Sequence, residues 1–391
     1  MFSIDAPTAW LQLRAQKPQT LAAIASIAFI TVLLFAQLGF RAAFLDSMLN
    51  MPQKLRGDLF LINAASETVL YPSSFSQQYL YHVLAFPEVE SATPLYITGA
   101  AISSPRGKGF LSRFRVIGFP VTTNPFMIAV LDEHLHELKE GGTMLFDEWC
   151  HEDYLPIIEG MEPGDSRKVT VRGGPVLTRI TITGVFPLFG MNEGSYGHLV
   201  TSDTTFWEMF RRRRANIDVG IIHLNDRVQM ESVQEQLSAS LPPEILVMQK
   251  HELMQREQKR FEFGSPIGLT VRAGLAAACV VGIIVLYQVL FQLTSKYLRD
   301  YATMKALGFS HGMLFALVLS QAGILVIIGD VIGFGLAALL YTYLTGLTGL
   351  PYTMTLDASI IVLLLVTVIC LMSALLATRK LREADPADLF G

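Results

Sequence analysis

The stretch Ser295 to His311, SKYLRDYATMKALGFSH, decides how the rest of the chain reads, because a long apolar run lies on either side of it. It carries Lys296, Arg299, Asp300 and Lys305. Tyr297, Leu298, Tyr301, Met304 and Leu307 recur at spacings of three and four, so the stretch is predicted to be a short amphipathic helix. Gly308 suits its C-terminus, where a residue without Cβ takes the left-handed conformation freely. Lys305 falls in the last turn, where a cation meets the negative end of the helix dipole. These charges keep the helix out of hydrocarbon. It is expected at the cytoplasmic surface, either as a solvated positive loop or as the docking element of a partner.

Outward from that stretch the chain is a membrane protein. Of its 391 residues 51% are hydrophobic and 16% charged, and the mean hydropathy is +0.41. Soluble domains carry about 25% charged residues. A net charge of −4 gives no basic character for nucleic acid. Cys150, Cys279 and Cys370 are too scattered for a disulfide framework or a zinc site.

Four apolar runs are predicted as spans: residues 20–41, 266–294, 312–345 and 358–378. The first reads as a retained anchor rather than a cleaved signal. Residues 1–19 are predicted to be an amphipathic cytoplasmic segment, with Trp10 at headgroup depth and Arg14 and Lys17 towards anionic lipid. Residues 346–357 form a short outer loop and 379–391 a basic cytoplasmic tail.

Residues 42–265, between the first and second runs, read as a soluble mixed α and β domain. Strands are predicted at Asp58–Asn63, Ser91–Thr98, Arg113–Gly118 and Val219–Leu224, and a hairpin at Lys168–Arg172 and Thr178–Val185 around Gly173-Gly174. Helices are predicted at Phe75–Leu84, Val228–Leu237 and Gln249–Phe263. Residues 249–272 are expected to act as a stalk towards the second span. The fold class is therefore a four-helix membrane protein with a large extracytoplasmic α+β domain inserted between helices 1 and 2.

Short-segment charge sets the orientation. Arg14, Lys17, Lys296, Arg299, Lys305, Arg379, Lys380 and Arg382 lie in the N-terminal segment, the 295–311 stretch and the tail, whereas 346–357 holds no Lys or Arg. Both termini and residues 295–311 are expected in the cytoplasm and the large domain outside, in a multi-pass membrane protein.

Catalytic motifs are lacking. No GxxxxGK is present, so the chain is not expected to hydrolyse ATP or to be an enzyme. His251-Glu-Leu-Met-Gln255 lacks the second histidine of a zinc-protease helix. His134, His136, Cys150 and His151 are a weak metal cluster, better read as surface residues, and Ser195 in GMNEGSYG does not sit in a nucleophile elbow. The run Arg211 to Arg214 reads as a solvated helix end or a dock for an acidic partner or lipid headgroups. Asp330 stands out in mid-span, within Gly329-Asp-Val-Ile-Gly333. A charge there costs about 2.5–3.5 kcal/mol on insertion scales, so it is expected to face protein or water. Gly329 and Gly333 form a GxxxG pair for close helix packing, as a dimer seam, a gating contact or a plain hydrogen-bonded helix contact.

This layout resembles the permeases of the MacB/FtsX-like (type VII) ABC transporter superfamily. Tyr301-Ala-Thr-Met-Lys-Ala-Leu-Gly308 is similar to that family's E-x-G-x-L-K-A-L-G segment, with Tyr301 and Ala302 near the usual acid and glycine. Ala377-Thr-Arg-Lys-Leu-Arg-Glu-Ala-Asp-Pro386 is similar to its A-x-R-x-A-x-x-x-x-P ending. Within it, Gln37–Arg41, Phe44–Ser47, Gly57–Ile62 and Lys296–Gly308 look most like the cyanobacterial DevC family. The resemblance implies a homodimeric permease working with a separate ABC ATPase, which holds the ATP and Mg, so no cofactor is expected in this chain. It also implies a periplasmic adaptor (membrane fusion) protein, a TolC-like outer-membrane channel in a tripartite efflux system, and export of glycolipid or another amphipathic substrate by mechanotransmission. The outer domain would be porter-like with an insert near 130–220. Arg299, Asp300, Tyr301, Met304, Lys305, Leu307 and Gly308 would couple to the ATPase. The other reading is an FtsX-like transmembrane regulator of a periplasmic cell-wall hydrolase, with no transported substrate.

Overall fold

The computed structural model describes residues 6–107, 109–162, 164–188, 197–296, 311–348 and 352–383. They divide into two units. One comprises residues 1–43 and 266–391, the other residues 44–265.

The first unit is helical. Helix α1 is Ala6–Ala15, and α2 is Lys17–Lys54, whose last turns belong to the second unit. Then come α9 (Pro266–Lys296), α10 (His311–Thr348) and α11 (Leu356–Glu383). Four of these, α2, α9, α10 and α11, are long and apolar enough to cross a membrane. They pack around Ile27, Ile30, Leu34, Leu286, Leu325, Val366 and Ile369. Other apolar side chains stay exposed, among them Phe29, Ile327, Val331, Leu339 and Leu364. An outward apolar surface of that kind on all-apolar helices is what hydrocarbon solvates.

The second unit is an α/β sheet domain. Its strands are β1 (Leu59–Asn63), β2 (Phe75–Ser76), β3 (Val89–Ser103), β4 (Phe110–Phe119), β5 (Thr143–Asp147), β6 (Arg167–Gly173), β7 (Val176–Phe186), β8 (Gly197–Ser202), β9 (Asn216–Ile217), β10 (Val219–Leu224) and β11 (Ile245–Gln249). Helices α3 (Gln78–Val83), α4 (Ala129–Leu138), α5 (Leu155–Ile158), α6 (Asp203–Phe210), α7 (Met230–Ser240) and α8 (Lys250–Gly264) complete it. Nine strands form one sheet in the order β11-β1-β10-β3-β4-β8-β5-β7-β6, and β2 pairs with β9. The pairs β4–β8 and β5–β7 are parallel. Strand β3 bulges between Ala100 and Ile102, and Ala101 and Ile102 then also pair with Arg172 and Val171 of β6. The half of the sheet from β3 to β6 thereby closes on itself, and a bulge supplies the bend such closure needs.

The hairpin β6–β7 forms around Gly173-Gly174, with Gly174 at φ +68° in the turn. Helix α3 begins three residues later than the pattern predicts. Phe75 is buried and pairs with Ile217, and Gln77 donates its N–H to Ala215, so a two-stranded ladder takes the backbone groups a helix would use. Residues near 130–220, expected as an insert, supply β5 to β8 of the same continuous sheet.

Candidate functional site

The predicted coupling residues Arg299, Asp300, Tyr301, Met304, Lys305, Leu307 and Gly308 lie outside the described residues, as does Ser195. The other predicted group is in place. Asp330, on α10, accepts a hydrogen bond from Thr31 Oγ1 of α2 at 2.6 Å, and Thr31 is fully buried. A Cβ on Gly329 would lie 2.6 Å from Ile27 Cγ2, and one on Gly333 would lie 2.6 Å from Thr31 Cβ and 2.9 Å from the Ala28 carbonyl. The GxxxG face of α10 therefore packs against α2 of the same chain. The seam continues at Phe334, whose ring meets Phe35 edge-on at 5.8 Å, and at Tyr341, whose hydroxyl donates to the Phe35 carbonyl at 2.7 Å. Residues 329, 333, 337 and 341 are four apart, the ridge spacing on which helices interlock. Asp330 acts here as an acceptor within a helix contact. Among the described residues no group of three or more His, Cys, Asp or Glu is placed to hold a metal ion.

In the sheet unit, the two places where the chain joins it to the helical unit converge. The end of α2 and the helix α8 stack Phe44 on Phe261 at 5.4 Å between ring centroids. Met51, Leu55 and Leu253 share one buried cluster, and Lys250 Nζ donates to the Leu55 carbonyl at 2.9 Å. Helix α8 starts in a capping box formed by Gln249 and Glu252. It buries Leu253, Glu257 and Phe261, spaced four apart, so it lies packed on the domain over that length rather than standing free. Arg256 donates to the carbonyls of Ala64 and Ser66, and Glu257 accepts from the Val69 N–H at 3.1 Å. Burial pushes the Glu257 carboxyl up to about 7, against the opposing pull of the Val69 N–H, Arg256 and Arg260. Lys54, at the end of α2, donates to the Pro187 carbonyl, and burial lowers its pKa although Asp147 and Glu148 act the other way.

A further buried pair carries no spacing signal in the sequence. Asp147 ends β5 and His198 lies in β8, both out of contact with solvent, with His198 Nδ1 2.8 Å from Asp147 Oδ2. Asp147 Oδ1 accepts from the N–H groups of Trp149 and Leu188. Cys150 lies nearby, against Gly197, and burial pushes its thiol up to about 12, away from the thiolate form. His134 and His136 sit on α4, where both approach Glu137, apart from this pair.

The Arg211–Arg214 run is not uniformly solvated. Arg211 takes the left-handed conformation that ends α6, Arg212 pairs with buried Asp218, and Arg214 lies over the Trp207 ring at 4.8 Å.

Residues 273–386 match the family described as FtsX-like permease C-terminal. None of the curated proteins compared with the chain matches it. Two solved structures are similar. One is the periplasmic region of MacB from Actinobacillus actinomycetemcomitans, at 12% identity and a TM-score of 0.34, covering 52% of this chain and 92% of that one. The other is the extracellular domain of the noncanonic ABC-type transporter YknZ from Gram-positive bacteria, at 12% identity and a TM-score of 0.31, covering 49% of this chain and 98% of that one.

Proposed function

We propose that the chain is the membrane subunit of a type VII ABC system, which passes the motion of a separate ATPase to a domain outside the inner membrane. The match of residues 273–386 to the FtsX-like permease C-terminal family carries this reading. The asymmetry of Lys and Arg between the 295–311 stretch and the 346–357 loop supports the orientation. Two copies of the chain, each with its own ATPase, would bring their 295–311 helices together when ATP binds. The helices α2 and α8 are the levers. They meet at Phe44 and Phe261 and are tied by Lys250, so a displacement of one is resisted by the other.

We further propose export of a glycolipid or similar amphiphile through a periplasmic adaptor and a TolC-like channel. The DevC-like segments at 37–47, 57–62 and 296–308 support this over the hydrolase regulator.

The test is Met304→Asp. An apolar anchor replaced by an unpaired carboxylate at the buried centre of an interface is expected to abolish copurification of the ATPase. Lys305→Ala, at the rim, should weaken it less and flatten its salt dependence. If Met304→Asp keeps full ATPase binding and stimulated turnover, residues 295–311 are only a solvated loop. Copurification of adaptor and channel with the wild-type complex supports export, whereas a cell-wall hydrolase alone supports regulation.

A further inference from the structure

Where α1 meets α2, the chain folds a small apolar cavity with cations at its rim. Its volume is about 230 Å³, and its walls include Leu13, Leu21, Ile24, Leu325 and Ile328. Trp10, Arg14 and Lys17 also line it. The corner that builds it is held by specific bonds. Gln16 N–H donates to the Leu13 carbonyl, Thr20 Oγ1 donates to the same carbonyl at 2.7 Å, and Gln321 Nε2 of α10 reaches Gln12 Oε1 at 2.6 Å. Leu13 is thereby buried, while Arg14, Lys17 and Leu21 stay exposed and Trp10 is 47% exposed.

Among the described residues that line this corner, charge is of one sign. No Asp or Glu occurs from residue 6 to residue 45. Among the described residues neither Arg14 nor Lys17 has an ion-pair partner. Helix α2 begins at Lys17, so the positive end of its dipole points into the same corner. An apolar slot flanked by two exposed cations and an indole matches an amphiphile with an anionic head.

We propose that this cavity seats one anionic phospholipid of the membrane, with a stretch of acyl chain between α1, α2 and α10 and its phosphate at Arg14 and Lys17. The slot is too small for a whole lipid and too apolar for inorganic phosphate alone. The lipid would tie α1 to the bundle, continuing the apolar contact that Leu13 begins. The proposal rests on α2 and α10 crossing a membrane, and not on the ATPase or on any exported substrate.

The experiment uses the full chain in phosphatidylcholine nanodiscs and reads Trp10 as the fluorescence difference between wild type and Trp10→Phe. Brominated phosphatidylglycerol and brominated phosphatidylcholine are the probes. With each cation near the headgroups favouring the anion, phosphatidylglycerol is expected to quench saturably, with a midpoint at a mole fraction about tenfold lower or more. Arg14→Gln with Lys17→Gln should remove that preference. Ile328→Trp, which fills the slot, should remove the saturable part while leaving a weak dependence on anionic lipid. Inorganic phosphate should not compete. Quenching that rises in proportion to the brominated fraction for both lipids overturns the proposal, as does a preference that survives the double substitution. Competition by inorganic phosphate overturns it too, since the site would then be an anion site and not a lipid seat. These outcomes leave the ATPase reading untouched, because none of the substituted residues belongs to the 295–311 stretch.

Discussion

Asp147 and Asp330 are both carboxylates inside their units, and the two units hold them by different means. Asp147 in the sheet unit takes two backbone N–H groups and the imidazole of His198. Asp330 in the helical unit takes a hydrogen bond from the hydroxyl of Thr31, between two glycines that let α10 close on α2. The difference follows from the solvent each unit folds against. In water, burying apolar surface supplies most of the driving force, and a converging set of polar partners offsets the cost of a buried charge. In lipid, the tails are as apolar as the side chains, so helices associate through close fit and a few hydrogen bonds. Polar convergence should therefore dominate the sheet unit, and steric fit the helical one.

The largest expected effect lies in the sheet. Asp147→Ala removes the oxygen to which the Trp149 N–H donates and the one facing His198 Nδ1, while the Leu188 N–H keeps the Phe186 carbonyl. Each buried polar group that loses its partner costs about 1–3 kcal/mol. The melting midpoint of the full chain, followed by Trp149 and Trp207 emission, should fall steeply, and Asp147→Asn, which keeps one acceptor oxygen, should fall less. An unchanged midpoint for Asp147→Ala would mean that the pair is incidental.

The second effect is steric and belongs to the helices. Gly333→Ala places a methyl group 2.6 Å from Thr31 Cβ and 2.9 Å from a backbone carbonyl, so α10 must shift away from α2. Overpacking of this order costs about 1–3 kcal/mol. Gly335→Ala, on the same helix, meets nothing within 4 Å and serves as the control. Resistance to unfolding by SDS should fall for the first and hold or rise for the second. Equal behaviour of the two would remove the steric reading of the seam.

How much of this was legible follows the same division. Four helices could be read from apolar length alone, because a span must satisfy its backbone within itself. Even there the pattern ended the first span at residue 41, whereas α2 runs on to Lys54 through the polar residues Arg41, Asp46 and Ser47. In the sheet, β1, β4, β6, β7 and β10 lie close to where their alternation or apolar runs place them. Strands β5 and β8 gave no alternation, because Thr143–Asp147 and Gly197–Ser202 are buried at every position between neighbouring strands. Asp330 and its flanking glycines could be picked out, since an acid in a span is rare. Asp147 and His198 could not, because 51 residues separate them and only the parallel and antiparallel crossings of β5, β7 and β8 bring them together. The contact between Phe44 and Phe261 was hidden for the same reason.

The smallest effect tests whether polar convergence in the sheet unit extends to α8. Glu257 accepts from the Val69 N–H and has Arg256 at 3.5 Å, yet burial raises its carboxyl from the ordinary 4.5 to about 7. Below about pH 4.5 the folded and unfolded chains both hold this proton, and it costs nothing. Between there and about pH 7 the unfolded chain releases a proton that the folded chain keeps, so stability falls as pH rises. Above about 7 both have released it and the loss, at most about 3 kcal/mol, is complete. Glu257→Gln keeps an oxygen for the Val69 N–H and cannot ionise, so its stability should stay flat through that window. Arg256 loses its carboxylate but keeps the Ala64 and Ser66 carbonyls, which offsets part of the gain. The net advantage of the variant at pH 8 is then about 1 kcal/mol, while at pH 5 the two chains should melt together. The difference between their midpoints across pH 5 to 8 isolates this one group from everything else that titrates. If that difference is flat, or if wild type gains on the variant as pH rises, Arg256 holds Glu257 ionised. The buried ion pair would then win over desolvation, and α8 would be fastened to the domain by charge rather than by its apolar face.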